Sequence, residues 1–253
     1  MKKNFLLFAA IALVILFSAC QKEPGNNLPP TQQLKLKTYT EDVRSAILGN
    51  SVTTYNFNYD GDDRMTSMVD AANPGNKFVF AYPSSSKYTM DLFVDNSFEL
   101  HVDYFLNSHS MPDSSFQYNN TEDTSSEKYV YNPALQLTKL YEYDYYSTGS
   151  SLWNTTAYTY DGAGNLVKSA DTDGYVYTYE YYTDKLYLVP QLMPFGGSNQ
   201  KVNLIKKLTL TESGTVTASA DYTYTFDSKD RISTIRHDYN GNDVVIKTFT
   251  YFD

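Results

Sequence analysis

The chain has 253 residues, a formal net charge of −9 and a single cysteine, with 25 tyrosines and 14 phenylalanines. This length can bury a real core as one large β domain or two small ones. An acidic chain without a cluster of lysine and arginine argues against nucleic acid as a partner. One cysteine excludes an intrachain disulfide and a site built from several cysteines.

The N-terminus carries a secretion signal. Lys2 and Lys3 precede an apolar run at 5–17, which is too short to span a bilayer comfortably. Phe17-Ser18-Ala19-Cys20 resembles the lipobox of bacterial lipoproteins, in which the cysteine is lipidated and becomes the new N-terminus. We therefore predict a signal peptide at 1–19 and lipid attachment at Cys20. The alternative is a plain secretory peptide with an incidental cysteine.

Residues 20–35 form the predicted lipidated cysteine and a flexible tether, because they are rich in Pro, Asn and Gln. Loss of Lys2 and Lys3 takes the formal charge from −9 to −11. Lys22-Glu23 resembles part of the export signal of surface lipoproteins in Bacteroides-type bacteria, but Pro24 replaces the usual second acid. We expect an outer-membrane lipoprotein, on the cell surface or on the periplasmic face.

Residues 36–253 show strand-like alternation and no break in composition. Tyr55-x-Phe57-x-Tyr59 and Tyr222-x-Tyr224-x-Phe226 place aromatic side chains on one face and mostly polar ones on the other. The pattern predicts an all-β fold, a single antiparallel sheet of hairpin repeats curled into a barrel or half-barrel. Helical patterns are confined to 41–48 and part of 200–207. A Pro/Gly-bearing loop is predicted at 189–203, with Leu192, Met193 and Phe195 exposed.

A turn pattern recurs between these strands. An aromatic residue precedes Asp60, Asp161 and Asp227, and an aliphatic residue returns five positions after each aspartate. The aspartate oxygen can accept backbone N–H groups, and the third residue after it is Asp or Gly, which tolerate the left-handed region. Asn132 begins a weaker copy, where Leu135 breaks the rule and predicts a different turn shape. Asn107 begins a copy that we predict to be one residue short, ending at Met111.

The segment Tyr158-Thr-Tyr-Asp161-Gly-Ala-Gly164-Asn-Leu166 resembles the YD repeat of large bacterial toxin shells and teneurins. The whole mature chain is similar to an uncharacterised family of Bacteroides-type lipoproteins described as porin-like in fold, and 196–210 adds to that likeness. The resemblance implies an antiparallel sheet that curls or closes. It implies no catalytic residue.

The abundance of tyrosine has two interpretations. Strand-like spacing favours tyrosines that pack on one another as scaffold, along a half-wet sheet face such as a barrel lumen. Exposed aromatic side chains could instead bind a glycan or another envelope protein. Trp153, in a Ser/Gly-rich segment predicted as a loop, together with Tyr145 and Tyr146, forms the candidate ligand-binding site.

Other chemistry is weakly indicated. Acid clusters at 60–63, 171–173 and 238–243 coincide with predicted turns and lack the EF-hand spacing, so we predict no metal site. His101, His109 and His237 show no zinc-ligand spacing. We predict no cofactor and no enzyme activity. A glycan hydrolase with unassigned carboxylates is the alternative, and a transmembrane barrel is disfavoured by the polar second face of the strands.

Overall fold

The computed structural model describes residues 34–46, 49–119, 124–146, 149–190, 192, 201–239 and 243–252, without the side chains of Tyr146, Lys185 and Lys201. The predicted signal, Cys20 and most of the tether lie outside them. No described segment is a helix long and apolar enough to cross a membrane. The described residues form sixteen strands: β1 Leu36–Ser45, β2 Gly49–Tyr59, β3 Met65–Asp70, β4 Lys77–Ser84, β5 Lys87–Val94, β6 Ser97–Leu106, β7 Pro112–Asn119, β8 Thr124–Tyr131, β9 Leu137–Tyr146, β10 Gly149–Tyr160, β11 Leu166–Asp171, β12 Tyr175–Leu188, β13 Lys201–Glu212, β14 Thr215–Phe226, β15 Ile232–Tyr239 and β16 Asp243–Tyr251.

The strands form one closed antiparallel barrel. Each strand pairs with its neighbours in the chain, and β1 pairs with β16 from Leu36↔Tyr251 to Arg44↔Val244. Closure leaves none of the sixteen described strands at an edge, which removes the row of unpaired backbone groups that an open sheet presents. The all-β expectation is confirmed. Of the two predicted forms, barrel and half-barrel, the structure has the closed barrel.

Both helical predictions are wrong. Residues 41–45 belong to β1, which pairs with β2 on one side and β16 on the other. Residues 201–207 belong to β13, which pairs with β12 and β14. Ladder hydrogen bonds on both sides outweigh the weak helical preference of these short segments.

Five hairpins share one turn structure at one end of the barrel, which we call the turn end. In each, the first residue exchanges backbone hydrogen bonds with the fourth and fifth, and its side-chain oxygen accepts the N–H of the fifth. The fourth residue has a positive φ, between 58° and 89°. A bulge follows as the strand resumes. The five turns begin at Asp60, Asn107, Asn132, Asp161 and Asp227.

Two details of the turn prediction are corrected. Leu135 has a φ of 63°, so the turn at Asn132 has the shape of the others despite its leucine. The Asn107 copy is full length, because Ser110 has a φ of 58° and the ladder resumes at Pro112. The hydrogen bonds of the opening Asn or Asp hold the left-handed fourth residue even where its side chain disfavours it.

The barrel interior is apolar and aromatic over most of its circumference. Side chains that face one another across strand pairs are buried, as in Phe57↔Met68, Phe80↔Met90 and Tyr88↔Tyr104. Tyr187, Val189 and Leu192, at and beyond the end of β12, pack against the cluster formed mainly by β1–β6 and β16. This segment therefore reaches across the interior. Leu192 is half-buried rather than exposed as predicted, whereas Met193 and Phe195 lie outside the described residues.

Tyrosine hydroxyls bind backbone carbonyls at the turn end. In six cases the hydroxyl donates to a carbonyl of the preceding strand, and in five of these that carbonyl belongs to the strand's first residue, beside the bulge. The donor–acceptor distances are 2.6 to 2.9 Å: Tyr82 to Met65, Tyr131 to Pro112, Tyr160 to Leu137, Tyr181 to Leu166, Tyr224 to Ile205 and Tyr251 to Ile232. These bonds let a buried tyrosine satisfy its polar atom while its ring packs in the interior.

The outer wall of the barrel carries many polar and charged side chains. Thr38 bonds Thr250 across β1 and β16, and Thr40 bonds Thr54 across β1 and β2. The Arg44 guanidinium lies 2.6 Å from the Asp42 carboxylate on the same wall. On β15, Arg236 pairs with Asp238 in the same way. These polar and charged side chains therefore lie outside the barrel, whereas most of the buried apolar ones lie inside.

Candidate functional site

The three predicted contact residues lie at or near the loop end, opposite the turn end, where the β3–β4, β5–β6 and β13–β14 connections lie. Trp153 belongs to β10 rather than to a loop, at a bulge between Leu152 and Asn154. Its side chain is 48% exposed, and Tyr145 is 40% exposed. Tyr146 ends β9, and its side chain lies outside the described set. A bulge turns its extra residue away from regular pairing, which explains the exposure of Trp153.

Tyr145 joins other rings in a patch across β5–β9, which we call the aromatic stripe: Phe93, Phe98, Phe116, Tyr118 and Tyr145. Ring contacts link Phe93 to Phe98 at 6.2 Å and Phe98 to Tyr118 at 6.3 Å. Phe116 lies two residues from Tyr118 on β7 and contacts the Tyr145 ring edge-on at 5.6 Å. Tyr118, like Tyr145, is 40% exposed. Among the described residues, Trp153 makes no ring contact with the stripe, although its strand adjoins β9.

Charged side chains border the aromatic stripe. The His101 ring stacks on Tyr118 at 4.8 Å. Its nitrogens lie 2.5 Å from the Asp91 carboxylate and 3.1 Å from that of Asp103. Lys87 pairs with Asp103 at 2.9 Å. The stripe is therefore a flat apolar surface edged by hydrogen-bonding groups, an arrangement that suits a ligand with both apolar faces and hydroxyl groups.

A second candidate site lies on the inner wall, where Glu127 on β8 is directly opposite Glu142 on β9. The Ser115 hydroxyl donates to the Glu127 carboxylate at 3.0 Å, and the Tyr129 hydroxyl donates to it as well. The Asn154 amide donates to Glu142 at 2.7 Å. We call Glu127 and Glu142 the inner acid pair.

The surroundings of Glu142 favour its protonated form. The pKa of Glu142 is raised to about 7. Burial is the largest cause, and the negative charges of Glu127, Asp171 and Asp173 act in the same direction. The Asn154 hydrogen bond opposes this shift, since it favours the ionised form. Glu142 is therefore partly protonated near neutral pH.

Other ionisable groups are buried in the interior on the opposite side of the barrel, on β15 and β16. Lys247 is nearly buried, with its ammonium 3.7 Å from Glu41, and burial lowers its pKa. His237 lies against Tyr222, with ring centroids 4.3 Å apart, and burial lowers its pKa to about 3. His237 is therefore neutral at physiological pH and packs as a core side chain.

The acids of the predicted turn clusters are occupied by the backbone and by arginine. Asp60 accepts from the Asp62 and Arg64 amides and pairs with the Arg64 guanidinium. Asp171 accepts from the Tyr175 amide. Within the part of the chain that the structure describes, no three His, Cys, Asp or Glu side chains are grouped to hold a metal ion.

Sequence reasoning missed both the aromatic stripe as a unit and the inner acid pair. The stripe combines residues from four of five consecutive strands, and only the register brings them together. The sequence pattern that could have revealed the acid pair is the alternation in β8 and β9, because it places Glu127 and Glu142 on the same face as Tyr129 and Leu140.

Comparisons with known proteins give similarity of fold. A crystal structure of a porin-like protein from Bacteroides uniformis matches with a TM-score of 0.61 and 14% identity, over 86% of this chain and 96% of that one. A porin-like protein from Bacteroides vulgatus matches with a TM-score of 0.57 and 12% identity, over 86% and 99%. No protein-family model matches the chain, and no curated protein matches it. At such identities the likeness shows the fold alone.

Proposed function

We propose that this chain is a non-catalytic cell-envelope protein that is anchored by a lipid on Cys20 and binds a glycan on its outer wall. The observation that carries the binding proposal is the aromatic stripe, in which Tyr118 and Tyr145 are exposed on either side of Thr124. Contact between exposed apolar rings and water is unfavourable. A ligand with an apolar face removes that surface from water when it binds, which favours binding.

A glycan suits the stripe for two reasons. The apolar C–H face of a pyranose can stack on a tyrosine ring, and the ring edge hydroxyls need acceptors and donors nearby. Asp91, Asp103 and the Ser126 hydroxyl, which lies 3.1 Å from the Tyr145 hydroxyl, supply such groups. Trp153, on the neighbouring strand β10, adds a further exposed ring beside β9.

Anchoring through Cys20 is supported by the polar outer wall. A membrane-spanning barrel needs an apolar band on its outside, and charges at mid-membrane cost about 2–4 kcal/mol each. Glu180, Lys207 and Asp221 lie in one row on that wall, near the middle of β12, β13 and β14. The fold of the porin-like proteins is therefore proposed to serve here as a soluble body, with attachment left to the lipid.

A glycan array with the chain lacking residues 1–20 tests the binding proposal. We expect at least one class of glycan to bind, and the variants Tyr118→Ala, Tyr145→Ala and Trp153→Ala to weaken that binding about fivefold or more. Tyr175→Ala is the matched control, because Tyr175 is 37% exposed on β12, away from the stripe.

A silent array, or equal loss in the Tyr175→Ala control, would contradict the glycan proposal and favour a protein partner or a scaffold. Products released from a bound glycan, with release abolished by Glu142→Gln, would instead support the hydrolase alternative through the inner acid pair.

A further inference from the structure

The aromatic stripe crosses the barrel wall from strand to strand. Phe93, Phe98 and Tyr118 lie on the consecutive strands β5, β6 and β7, and contacts link their rings at 6.2 and 6.3 Å. The last ring of the stripe, that of Tyr145, belongs to β9. Neighbouring strands lie about 4.8 Å apart, so the path from β5 to β9 measures about 19 Å along the wall. The stripe is therefore much longer than a single aromatic ring.

Strand β8 contributes small side chains to this part of the outer wall. Thr124 lies opposite both Tyr118 and Tyr145, and Ser126 is the next outward residue on β8. The Tyr145 side chain leans across β8, because its hydroxyl lies 3.1 Å from that of Ser126 and its ring contacts Phe116 on β7. The rings of β7 and β9 therefore meet over β8, which keeps the apolar surface continuous.

A single sugar can contact only a small part of this surface. The stripe lies on the outer wall of a closed barrel, which curves away from a ligand, whereas sites that enclose one small molecule are concave. A pyranose stacked on Tyr118 would leave Tyr145 uncovered, because their strands are two spacings, about 10 Å, apart. Contact with several rings therefore requires several linked sugars.

We propose that the aromatic stripe binds an unbranched stretch of a glycan chain that lies across β5–β9 and is at least about three sugars long. This inference rests on the glycan site proposed above and names its ligand class. A sugar unit is similar in length to one strand spacing, so the three spacings from Phe98 on β6 to Tyr145 on β9 correspond to about three units. Each further sugar adds contact within the same binding event, so affinity rises with chain length until the stripe is covered.

Polar groups follow the stripe in the same direction. Asp91 lies on β5, Asp103 on β6 and Ser126 on β8, all on the outer wall. The two carboxylates contact His101, and Asp103 also pairs with Lys87. A carboxylate can accept about four hydrogen bonds, so both retain capacity for sugar hydroxyls. Successive sugars of a bound chain would thus each find an acceptor beside an aromatic surface.

Titration of the full chain, in a detergent without a sugar headgroup, tests the proposal. The probes are cello-, xylo-, manno-, malto- and laminari-oligosaccharides with one, two, four and six sugars. We expect at least one series to bind, with the four-sugar member tighter than the two-sugar member by about tenfold or more. A site that recognises a single terminal sugar would instead bind all members of a series equally.

Variants at the two ends of the stripe assign this gain to its length. Phe98→Ala and Tyr145→Ala should each reduce the gain between two and six sugars by about threefold or more. Phe105→Ala is the matched control, because Phe105 is a 41% exposed ring on the same strand as Phe98, about 23 Å further along it. Thermal unfolding checks that the variants fold, and Phe98→Leu, which keeps an apolar side chain without the ring, replaces Phe98→Ala if the latter does not.

The outcomes separate this inference from the glycan site itself. Equal affinity for one and six sugars, or equal loss in the Phe105→Ala control, would overturn the chain proposal and leave the glycan site in place. Silence of all five series while another glycan binds on the array would do the same. A silent array together with silent series would contradict the glycan site, and this inference with it.

Discussion

At the scale of single residues, tyrosine combines two tasks that other aromatic residues cannot. Its ring fills the interior, as in the Tyr88–Tyr104 stack at 4.6 Å, and its hydroxyl binds backbone where the bulges free a carbonyl. Phenylalanine would leave those carbonyls unsatisfied in a buried place, which costs about 1–3 kcal/mol each. This explains why the inner wall uses tyrosine where a dry core would use leucine or phenylalanine.

Glu142 yields a prediction of pH-dependent stability. Its pKa rises from 4.5 to about 7 on folding, so the native state binds the proton more tightly than the unfolded state does. Glu142 therefore does not affect stability below pH about 4.5, and it destabilises the protein progressively as pH rises through about 7. Glu142→Gln, which keeps the acceptor for Asn154, should raise the free energy of unfolding at pH 8 by about 1 kcal/mol, because solvent partly screens the carboxylate.

Urea unfolding at pH 4.5 and pH 8 measures this difference. The gain should appear at pH 8 and vanish at pH 4.5. A gain of equal size at both values would attribute the effect to packing rather than to charge. The exposed Glu180→Gln should show no gain at either pH.

At the scale of elements, one turn structure is repeated with different sequences. Its constant part is the opening Asp or Asn, whose oxygen holds the fifth residue, and its variable part is the left-handed fourth residue. Leu135 and Gly164 occupy that same position with φ values of 63° and 89°. The opening residue therefore determines the turn, and the fourth residue adjusts its stability.

Exchanging these residues should have opposite effects. Leu135→Gly should stabilise the barrel by about 0.5–1 kcal/mol, because it removes a left-handed strain of about 1–2 kcal/mol and loses some apolar contact. Gly164→Ala should destabilise it by about 1–2 kcal/mol, since the new Cβ would take up a positive φ and lie 3.3 Å from the Gln136 amide nitrogen.

Gly162→Ala is the control within the same turn, because its φ is not positive and its Cβ would meet open space. Thermal or urea unfolding of the three variants provides the comparison. A loss in Gly162→Ala as large as that in Gly164→Ala would show that any side chain harms the turn, which contradicts the argument from φ.

At the scale of the whole molecule, the barrel places most of its buried apolar side chains inside and the Arg44–Asp42 and Arg236–Asp238 ion pairs outside. A membrane-spanning barrel of this size reverses this arrangement, with a polar lumen and an apolar outer band. The fold shared with the porin-like Bacteroides proteins is thus combined here with a wall suited to water.

Membrane attachment through Cys20 can be tested on the full chain. We expect Cys20→Ala, with residues 1–19 exchanged for a secretory signal that lacks a lipobox, to move the protein from the membrane fraction to the soluble fraction without detergent. Without the lipid, we expect the charged outer wall to have no favourable contact with the bilayer, so the protein should leave the membrane fraction. Unchanged partitioning would contradict the proposal that the lipid alone attaches a soluble barrel. The unaltered chain, with Cys20 in its own lipobox, serves as the control.

Much of the fold was predictable, because strand alternation and turn chemistry are local. The alternation in 36–253 predicts the antiparallel sheet, and Asp60, Asp161 and Asp227 mark three of the five repeated turns. The predicted length of the Asn107 turn and the predicted shape of the Asn132 turn were wrong. Serine and leucine rarely adopt a left-handed conformation, but the hydrogen bonds of the turn impose it on Ser110 and Leu135. The exposure of Tyr145 and Trp153 was anticipated, but their neighbours in the aromatic stripe were not.

The sequence by itself determined the strand faces and the use of Asp and Asn to open the turns, because each depends on residues a few positions apart. Only the tertiary structure decided that β1 meets β16 to close the barrel, since that pairing joins residues more than 200 positions apart. Register across strands likewise placed Glu127 against Glu142 and brought Phe116 to Tyr145. Periodicity assigns a residue to a face, whereas its partners on that face depend on strand order and bulges.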